Sequence, residues 1–199
     1  MPLARLLLEE SECTITLMSS LSTAELRRPV IARAAVREFA KGGYHRTTIA
    51  DVAREAGISP AYVFKLFPSK ERLFVAALED CFAQILEALA AGADASPDQG
   101  ADAVLDAMGE AYADLIADRS LLALQVHAQS AADIPEVRQA LRTGLGEVTT
   151  FAKTRSGAGD ENVQRFIAFG QLCHLIVTTG VEELSQSWAK LVSRGIRHP

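Results

Sequence analysis

Cysteine, glycine, proline and long apolar runs are all scarce in this sequence, and each shortage excludes a class of protein. The 199 residues include 13 glycines and 7 prolines, too few for a fibrous or low-complexity chain. Cys13, Cys81 and Cys173 lie far apart with no Cys-x-x-Cys pair, which argues against a disulfide framework or a zinc finger and favours a reducing compartment. The longest uncharged run, residues 166–181, is too short for a membrane helix, and the N-terminus makes a poor signal peptide. We therefore expect a cytoplasmic protein.

The usual catalytic motifs are missing as well. The sequence contains no glycine-rich phosphate loop, no Gly-x-Ser-x-Gly and no His-Glu-x-x-His. Cys173 and His174 are neighbours on a predicted helix, so their side chains diverge by about 100° and are badly placed for a nucleophile and its base. We expect no enzyme, no cofactor and no metal site.

Charge is distributed unevenly along the chain. Residues 22–75 carry ten Lys and Arg against five Asp and Glu, a net charge of +5, whereas residues 76–199 carry nine against seventeen, a net charge of −8. A basic segment within an acidic chain is typical of a part that binds polyanions such as DNA. A solvated basic surface is the alternative interpretation.

Apolar residues repeat with a helical period almost throughout, which predicts an all-α fold. The first strong helix is predicted over residues 23–41 and ends at Gly42-Gly43. A short helix over residues 48–56 begins with a capping-box-like Thr48 and Asp51, and the next begins at Ser59-Pro60. Only residues 57–59 separate these two short helices, so they must cross steeply, as in a helix-turn-helix.

The second helix of such a pair lies in the DNA major groove. Its outer face is predicted to carry Ala61 for close approach, Tyr62 for a ring and a hydroxyl, and Lys65 for a cation. Lys70 follows at the start of a fourth helix, where the positive helix end favours a phosphate. Each residue alone has an ordinary structural explanation as a cap or surface side chain, so the prediction depends on their joint order and spacing.

The stretch TTIADVAREAGISPAYVFKLFPSKERLF, residues 47–74, resembles the DNA-binding signature of the tetracycline-repressor (TetR) family of bacterial transcription regulators. The resemblance covers roughly residues 25–80 and implies a regulator whose C-terminal region binds a small molecule and forms a homodimer. The chain departs from the family pattern at Phe64 and Leu66, which lack the polar ends that often meet phosphate. The candidate DNA-binding residues are Thr47, Thr48, Ser59, Pro60, Ala61, Tyr62, Phe64, Lys65 and Lys70.

Three regions are predicted: an N-terminal extension over residues 1–21, expected to be flexible, with Met18 as an alternative start; a three-helix helix-turn-helix domain over 22–68; and a larger helical effector-binding and dimerisation domain over 69–199. Helices of the last region are predicted at 69–91, 98–118, 120–131, 135–155, 160–180 and 181–194. Aspartates spaced four apart between residues 98 and 118 indicate a solvated face rather than a metal site.

The uncharged segment 166–181 must bury every face if it is helical, so one face is expected to meet a partner subunit, with a fully internal helix as the alternative. The predicted dimer interface comprises Phe169, Cys173, Ile176, Val177 and Trp188.

A mostly apolar effector pocket is predicted from polar or adaptable side chains that lie among aliphatic ones. Its candidate residues are Met108, Tyr112, Gln125, Gln129, Phe151 and His174. Acidic surroundings disfavour an anion, so a neutral or cationic lipophilic or aromatic effector is expected. The resulting hypothesis is a repressor that binds a palindromic operator as a homodimer and is released by the effector. A DNA-binding dimer without effector control and a helical enzyme are the alternatives.

Overall fold

The computed structural model describes the backbone of residues 3–96 and 100–195, and the side chains of these ranges from residue 24 onward. Within the described ranges the chain folds into α-helices and one 3-10 turn without any strand, which confirms the predicted all-α fold. The helices are α1 Leu3–Arg46, α2 Ile49–Glu55, α3 Pro60–Leu66, α4 Lys70–Asp94, α5 Ala101–Leu115, α6 Arg119–Ser130, α7 Pro135–Ser156, α8 Asp160–Thr179 and α9 Ser187–Val192.

Helix α1 begins earlier than predicted, and its break in helical geometry lies where its end is predicted. Gly43 adopts φ 64° and ψ −177°, which confirms the predicted interruption at Gly42-Gly43, and a short helical segment beyond this kink continues to Arg46. The helix begins at Leu3, so residues 3–21 of the predicted extension continue α1; residues 1–2 and the side chains up to residue 23 lie outside the described part of the chain. The flexibility of this extension therefore stays a prediction.

The helix-turn-helix is held by caps that the sequence predicts and by an aromatic core. The Thr48 hydroxyl accepts a hydrogen bond from Asp51 N, and the Asp51 carboxylate accepts one from Thr48 N, a complete capping box. Gly57 supplies the left-handed turn at φ 66°, and Ser59 caps α3. The rings of Phe39 and Phe74 meet edge to face at 4.7 Å and join α1 to α4.

A larger helical body follows, with α4 as its link to the helix-turn-helix. Helix α4 packs against α5 and α7, and α1 packs against α6. Gly144 of α7 permits the close approach to α4, since a Cβ there would overlap the Phe82 ring. No helix in the described ranges is long and apolar enough to cross a membrane.

The predicted last helix, residues 181–194, is wrong in detail. Gly180 adopts φ 66° and ends α8, and a 3-10 turn, Val181–Glu183, follows it. Helix α9 then covers only Ser187–Val192. A glycine in the left-handed region breaks the helix that the hydrophobic period alone would continue.

Candidate DNA-binding surface and ligand cavity

The outer face of α3 presents the side chains that would reach DNA. Ala61 and Lys65 are exposed, Tyr62 is half-buried, and Phe64 is 50% exposed. On the opposite side, Val63 lies in the core. The face thus combines a cation, a phenol and an exposed apolar ring, and apolar groups of this kind contact the thymine methyl in the major groove.

One candidate DNA-binding residue is buried in the structure. Thr47 is 4% exposed, and its hydroxyl donates a hydrogen bond to the Glu38 carbonyl over 3.1 Å, so it helps to close the end of α1. Leu66, where the chain departs from the family pattern, is 5% exposed and belongs to the core. Sequence order alone could not show which neighbours cover these two side chains.

Thr48, Ser59 and Pro60 remain exposed at the starts of α2 and α3. Besides capping α2, the Thr48 hydroxyl donates to Asp51 Oδ2 over 2.7 Å. Hydrogen bonds from Thr48 are the main cause that lowers the pKa of Asp51 to about 2. The acid is therefore ionised at neutral pH and keeps the cap formed.

Lys70 is fixed between the end of α1 and the start of α4. Its Nζ donates to the His45 carbonyl over 3.2 Å and lies 4.7 Å from the centre of the Tyr44 ring. Burial lowers the pKa of Lys70, and the Tyr44 hydroxyl donates to Glu71 beside it. This packing brings the last residues of α1 to the N-terminus of α4.

Two exposed cations near this point were missed by the sequence reasoning. Arg46 directly follows His45, and Arg72 lies in the first turn of α4. Both are exposed, and neither forms an ion pair with any side chain that the structure describes. Their place in the +5 segment was the available signal, but the predicted end of the first helix at Lys41 hid the role of Arg46.

By contrast, the basic stripe along α1 is largely compensated. Arg37 Nε lies 2.5 Å from a Glu55 oxygen, and Lys41 Nζ lies 2.6 Å from a Glu38 oxygen. Lys65 on α3, and Arg46 and Arg72 at the junction of α1 with α4, are exposed cations without an acidic partner among the described side chains. Cations of this kind beside the helix-turn-helix can attract a polyanion such as DNA.

A cavity of about 680 Å³ lies in the larger helical body among α4, α5, α6, α7 and α8. Its size falls in the range typical of small-molecule sites. The walls are mostly aliphatic and aromatic, with Phe82, Ile85, Leu89, Leu141, Val148 and Phe166 among them. Of the described lining residues, Asp106 and Glu110 are the charged ones, and both are exposed side chains of α5.

The structure brings together only part of the predicted effector set. Tyr112, Gln125 and Gln129 line the cavity. Met108 is fully buried in the core, Phe151 packs against that core, and His174 lies behind the wall at 4% exposure, so these three do not line it. Periodicity identified them as inward-facing, but the inward direction leads to packed neighbours rather than to the open space.

Polar groups of the cavity wall are linked by hydrogen bonds. Tyr112 Oη lies 2.7 Å from His174 Nε2, and Gln125 Nε2 donates to the Leu121 carbonyl over 3.3 Å and to Tyr112 Oη over 3.4 Å. Burial lowers the pKa of His174 to about 4 and raises the pKa of Tyr112. The network is therefore uncharged at neutral pH. Nearer the surface, Gln129 Nε2 donates to Gln171 Oε1 over 2.8 Å.

The structure places the predicted dimer-interface residues in two environments. Cys173, Ile176 and Val177 are at most 3% exposed within one chain, because Cys173 and Val177 pack with α5 and α6 and Ile176 packs with Val181 and Ala189. The remaining two predicted residues, Phe169 and Trp188, are 43% and 53% exposed. Further exposed apolar side chains in the C-terminal part of the chain are Leu175, Leu184 and Leu191.

A helix-turn-helix with an exposed cationic face, joined by one continuous helix to a larger body with an apolar cavity, defines a DNA-binding regulator. Residues 31–77 match the family model described as bacterial regulatory proteins, tetR family. Residues 31–77 therefore form a helix-turn-helix domain of the TetR family, as the sequence predicts, and the larger helical domain follows it. A search of curated protein sequences gives no match.

Solved structures share this fold over most of the chain. FadR of Bacillus subtilis in complex with stearoyl-CoA is 20% identical, covers 84% of this chain and 98% of its own, and has a TM-score of 0.63. A TetR-family regulator from Agrobacterium tumefaciens is 17% identical, with 85% and 93% coverage and a TM-score of 0.62. The multidrug binding protein EbrR complexed with imidazole is 21% identical, with 87% and 96% coverage and a TM-score of 0.61.

Proposed function

We propose that this protein is a cytoplasmic repressor, and not an enzyme, that binds a palindromic operator as a homodimer and leaves it when a small-molecule effector occupies the cavity. The observation that carries the DNA-binding part is the outer face of α3, where Ala61, Tyr62, Phe64 and Lys65 stand together. In a helix-turn-helix this face reads base edges, while caps and helix starts hold phosphates. Thr48, Ser59 and Lys70 have that second role, and Pro60, which has no N–H to donate, begins the helix that they flank.

The homodimer is supported by apolar surface on the last two helices. Leu175 is 55% exposed on α8, and Trp188 and Leu191 are 53% and 70% exposed on α9. Several large exposed apolar side chains within one short stretch of the chain favour an interface there, because their burial removes apolar area from water. A twofold pair of chains presents two copies of α3, which fits half-sites about one helical turn, or a multiple of it, apart.

Release by an effector is supported by the continuity of α4. Its first turn contains Lys70, which bonds to the end of α1, and its later turns supply Phe82, Ile85 and Leu89 to the cavity wall. A ligand that fits only one position of this helix would move the helix-turn-helix relative to its partner. The loss of DNA affinity is then limited by the difference in ligand affinity between the two positions.

The nature of the effector follows from the lining. Asp106 and Glu110 disfavour an anion near the cavity, and the other described walls are uncharged, so a neutral or cationic lipophilic molecule is the expected class. The structural relatives include one in complex with stearoyl-CoA and one called a multidrug binding protein. Because Asp106 and Glu110 repel anions, we expect a neutral or cationic ligand here rather than an anionic one such as stearoyl-CoA.

The first experiment is a site selection with the full chain, followed by DNA titration at several salt concentrations. We expect one dimer per palindromic site and an affinity that falls steeply with salt. The reason is that lysine and arginine side chains that contact phosphates release the counterions condensed on the DNA. Lys65→Ala should relax the selected sequence at one base pair of each half-site, whereas Arg142→Ala, which removes the same charge from an exposed position of α7, should leave the selected sequence unchanged. Salt-independent binding or monomer stoichiometry would contradict the proposal. An operator-binding dimer that no lipophilic compound releases would support the alternative without effector control.

A further inference from the structure

Three polar side chains of the larger domain form one network that ends at the cavity. Tyr112 and Gln125 line the cavity, and His174 lies behind them at 4% exposure. The Tyr112 hydroxyl is the common point, since it lies within hydrogen-bond distance of both other side chains. The direction of each hydrogen bond decides what Tyr112 offers to a ligand.

The orientation of Gln125 is set by the backbone. The Leu121 carbonyl, 3.3 Å from Gln125 Nε2, can only accept a hydrogen bond, so the amide nitrogen must face it. The same nitrogen lies 3.4 Å from Tyr112 Oη and carries a second hydrogen. Gln125 therefore donates to the tyrosine oxygen and occupies one of its lone pairs.

The tautomer of His174 follows from an unpaired atom. Its Nδ1 is buried and has no hydrogen-bond partner among the described residues. A proton on Nδ1 would leave an N–H donor unpaired at a buried atom, whereas a proton on Nε2 leaves the spare donor on the Tyr112 hydroxyl, and Tyr112 lines the cavity, where water or a ligand can accept it. His174 Nε2 therefore donates to Tyr112 Oη over 2.7 Å. Both lone pairs of the tyrosine oxygen are then used.

The hydroxyl proton of Tyr112 is left over. No acceptor for it exists among the side chains that the structure describes, since the two groups in reach, His174 Nε2 and Gln125 Nε2, both act as donors. Tyr112 itself is on the cavity wall. A hydrogen-bond donor, held by two fixed partners, thus remains available to an occupant of the cavity.

We propose that Tyr112 is the polar recognition group of this cavity, and that the effector is a mostly apolar molecule that carries a hydrogen-bond acceptor such as a ketone, ester or amide carbonyl and no anionic group. This inference rests on the proposed function in one respect, namely that the cavity takes a ligand at all. An otherwise identical molecule without the acceptor leaves the O–H group desolvated and unpaired, which is how a site built around one polar group rejects apolar analogues.

The test uses probes that differ only at the acceptor. We compare 2-acetylnaphthalene with 2-isopropenylnaphthalene, and 2-undecanone with 2-methyl-1-undecene, because each pair exchanges a carbonyl oxygen for a CH₂ group of similar shape. Binding to the full chain is measured by calorimetry at neutral pH. We expect the ketones to bind about tenfold more tightly than the alkenes, the effect of one hydrogen bond to a buried donor.

Variants assign the preference to Tyr112. Tyr112→Phe removes only the hydroxyl and should bring each ketone to the affinity of its alkene, while the alkene affinity stays within about twofold. Tyr44→Phe makes the same chemical change far from the cavity, at the hydroxyl that donates to Glu71, and should keep the tenfold preference. A 2-naphthoate anion should bind more weakly than either naphthalene probe.

The outcomes separate this inference from the proposed function. Equal affinity of ketones and alkenes in the native chain, an unchanged preference in Tyr112→Phe, or no binding by any probe overturns the role of Tyr112. A ketone preference that disappears in Tyr112→Phe supports it, even if the bound ketones do not release operator DNA. In that last case the cavity recognises acceptors as proposed, but control of DNA binding through the cavity is wrong.

Discussion

Gly43 of α1 packs directly against the imidazole of His127 on α6. A Cβ built on Gly43 would lie 3.0 Å from His127 Nδ1, and the residue adopts φ 64° and ψ −177°. Helix α6 also supplies Gln125 and Gln129 to the cavity wall. The contact therefore joins the cavity to the end of α1, next to the residues that hold the first turn of α4.

We expect Gly43→Ala to destabilise the protein by about 1–3 kcal/mol, because its backbone conformation is one that residues other than glycine rarely adopt. Thermal unfolding should show a lower Tm, by roughly 2–4 °C per kcal/mol for a chain of this size. In the double variant with His127→Ala, only the part of the lost stability that comes from steric contact with the imidazole should return. Gly146→Ala is the control, because Gly146 lies in α7 with open space around it, and its Tm should stay level or rise. A Tm of Gly43→Ala equal to that of the native chain would contradict this account.

Acid should weaken the fold through His174. Burial lowers the pKa of His174 to about 4, whereas the unfolded chain takes up this proton near 6.5. Between these values the unfolded state binds more protons than the folded state. The contribution of His174 to the free energy of unfolding is therefore fully present above pH 6.5, and it falls as the pH drops toward 4, by up to about 1.4 kcal/mol per pH unit.

Denaturant unfolding at pH 7, 6 and 5 measures this slope. His174→Gln should flatten it in this window, because the substituted side chain takes up no proton. Equal slopes for the native chain and His174→Gln would mean that the buried imidazole does not resist protonation.

We expect Lys65 to contact bases, and the cations at the junction of α1 with α4 to contact phosphates. Lys65→Ala should cost about 1–3 kcal/mol at one base pair and relax the preference there, as expected for a direct base contact. Lys70→Ala and Arg46→Ala should weaken all sequences alike, each reducing the salt slope by about one. Binding measured across an operator library at three salt concentrations distinguishes the two patterns, and the reverse result would exchange the assignments.

A charge on the exposed face of α8 should break the dimer without unfolding the chain. Leu175→Glu places a carboxylate at a side chain that is 55% exposed in one chain, so the monomer tolerates it but a buried interface does not. Sedimentation should show a folded monomer with native helicity by circular dichroism. Ile176→Glu, at the neighbouring position with 0% exposure, should instead unfold or precipitate the protein. A normal dimer for Leu175→Glu would place the interface elsewhere.

Short-range chemistry is what the sequence by itself determined. The capping box of Thr48 and Asp51, the turn at Gly57 and the cap at Ser59 each depend on atoms within four residues, so their spacing alone predicts them. The helix-turn-helix follows from these caps and from the short link between them. The all-α fold and the match of residues 31–77 to the tetR family model follow from the same local patterns.

Contacts between distant helices were decided only by the tertiary structure. Helical period shows which residues share a face but not which helix covers that face, so it could not show that Met108 and His174 are buried rather than lining the cavity, or that Ile176 is covered within one chain. The hydrogen bond between Tyr112 and His174 joins residues 62 positions apart, and the contact of Gly43 with His127 joins two different helices. Such pairs depend on how the helices pack against one another. That packing is set by the free energy of the whole chain, whereas a sequence pattern describes only one short segment at a time.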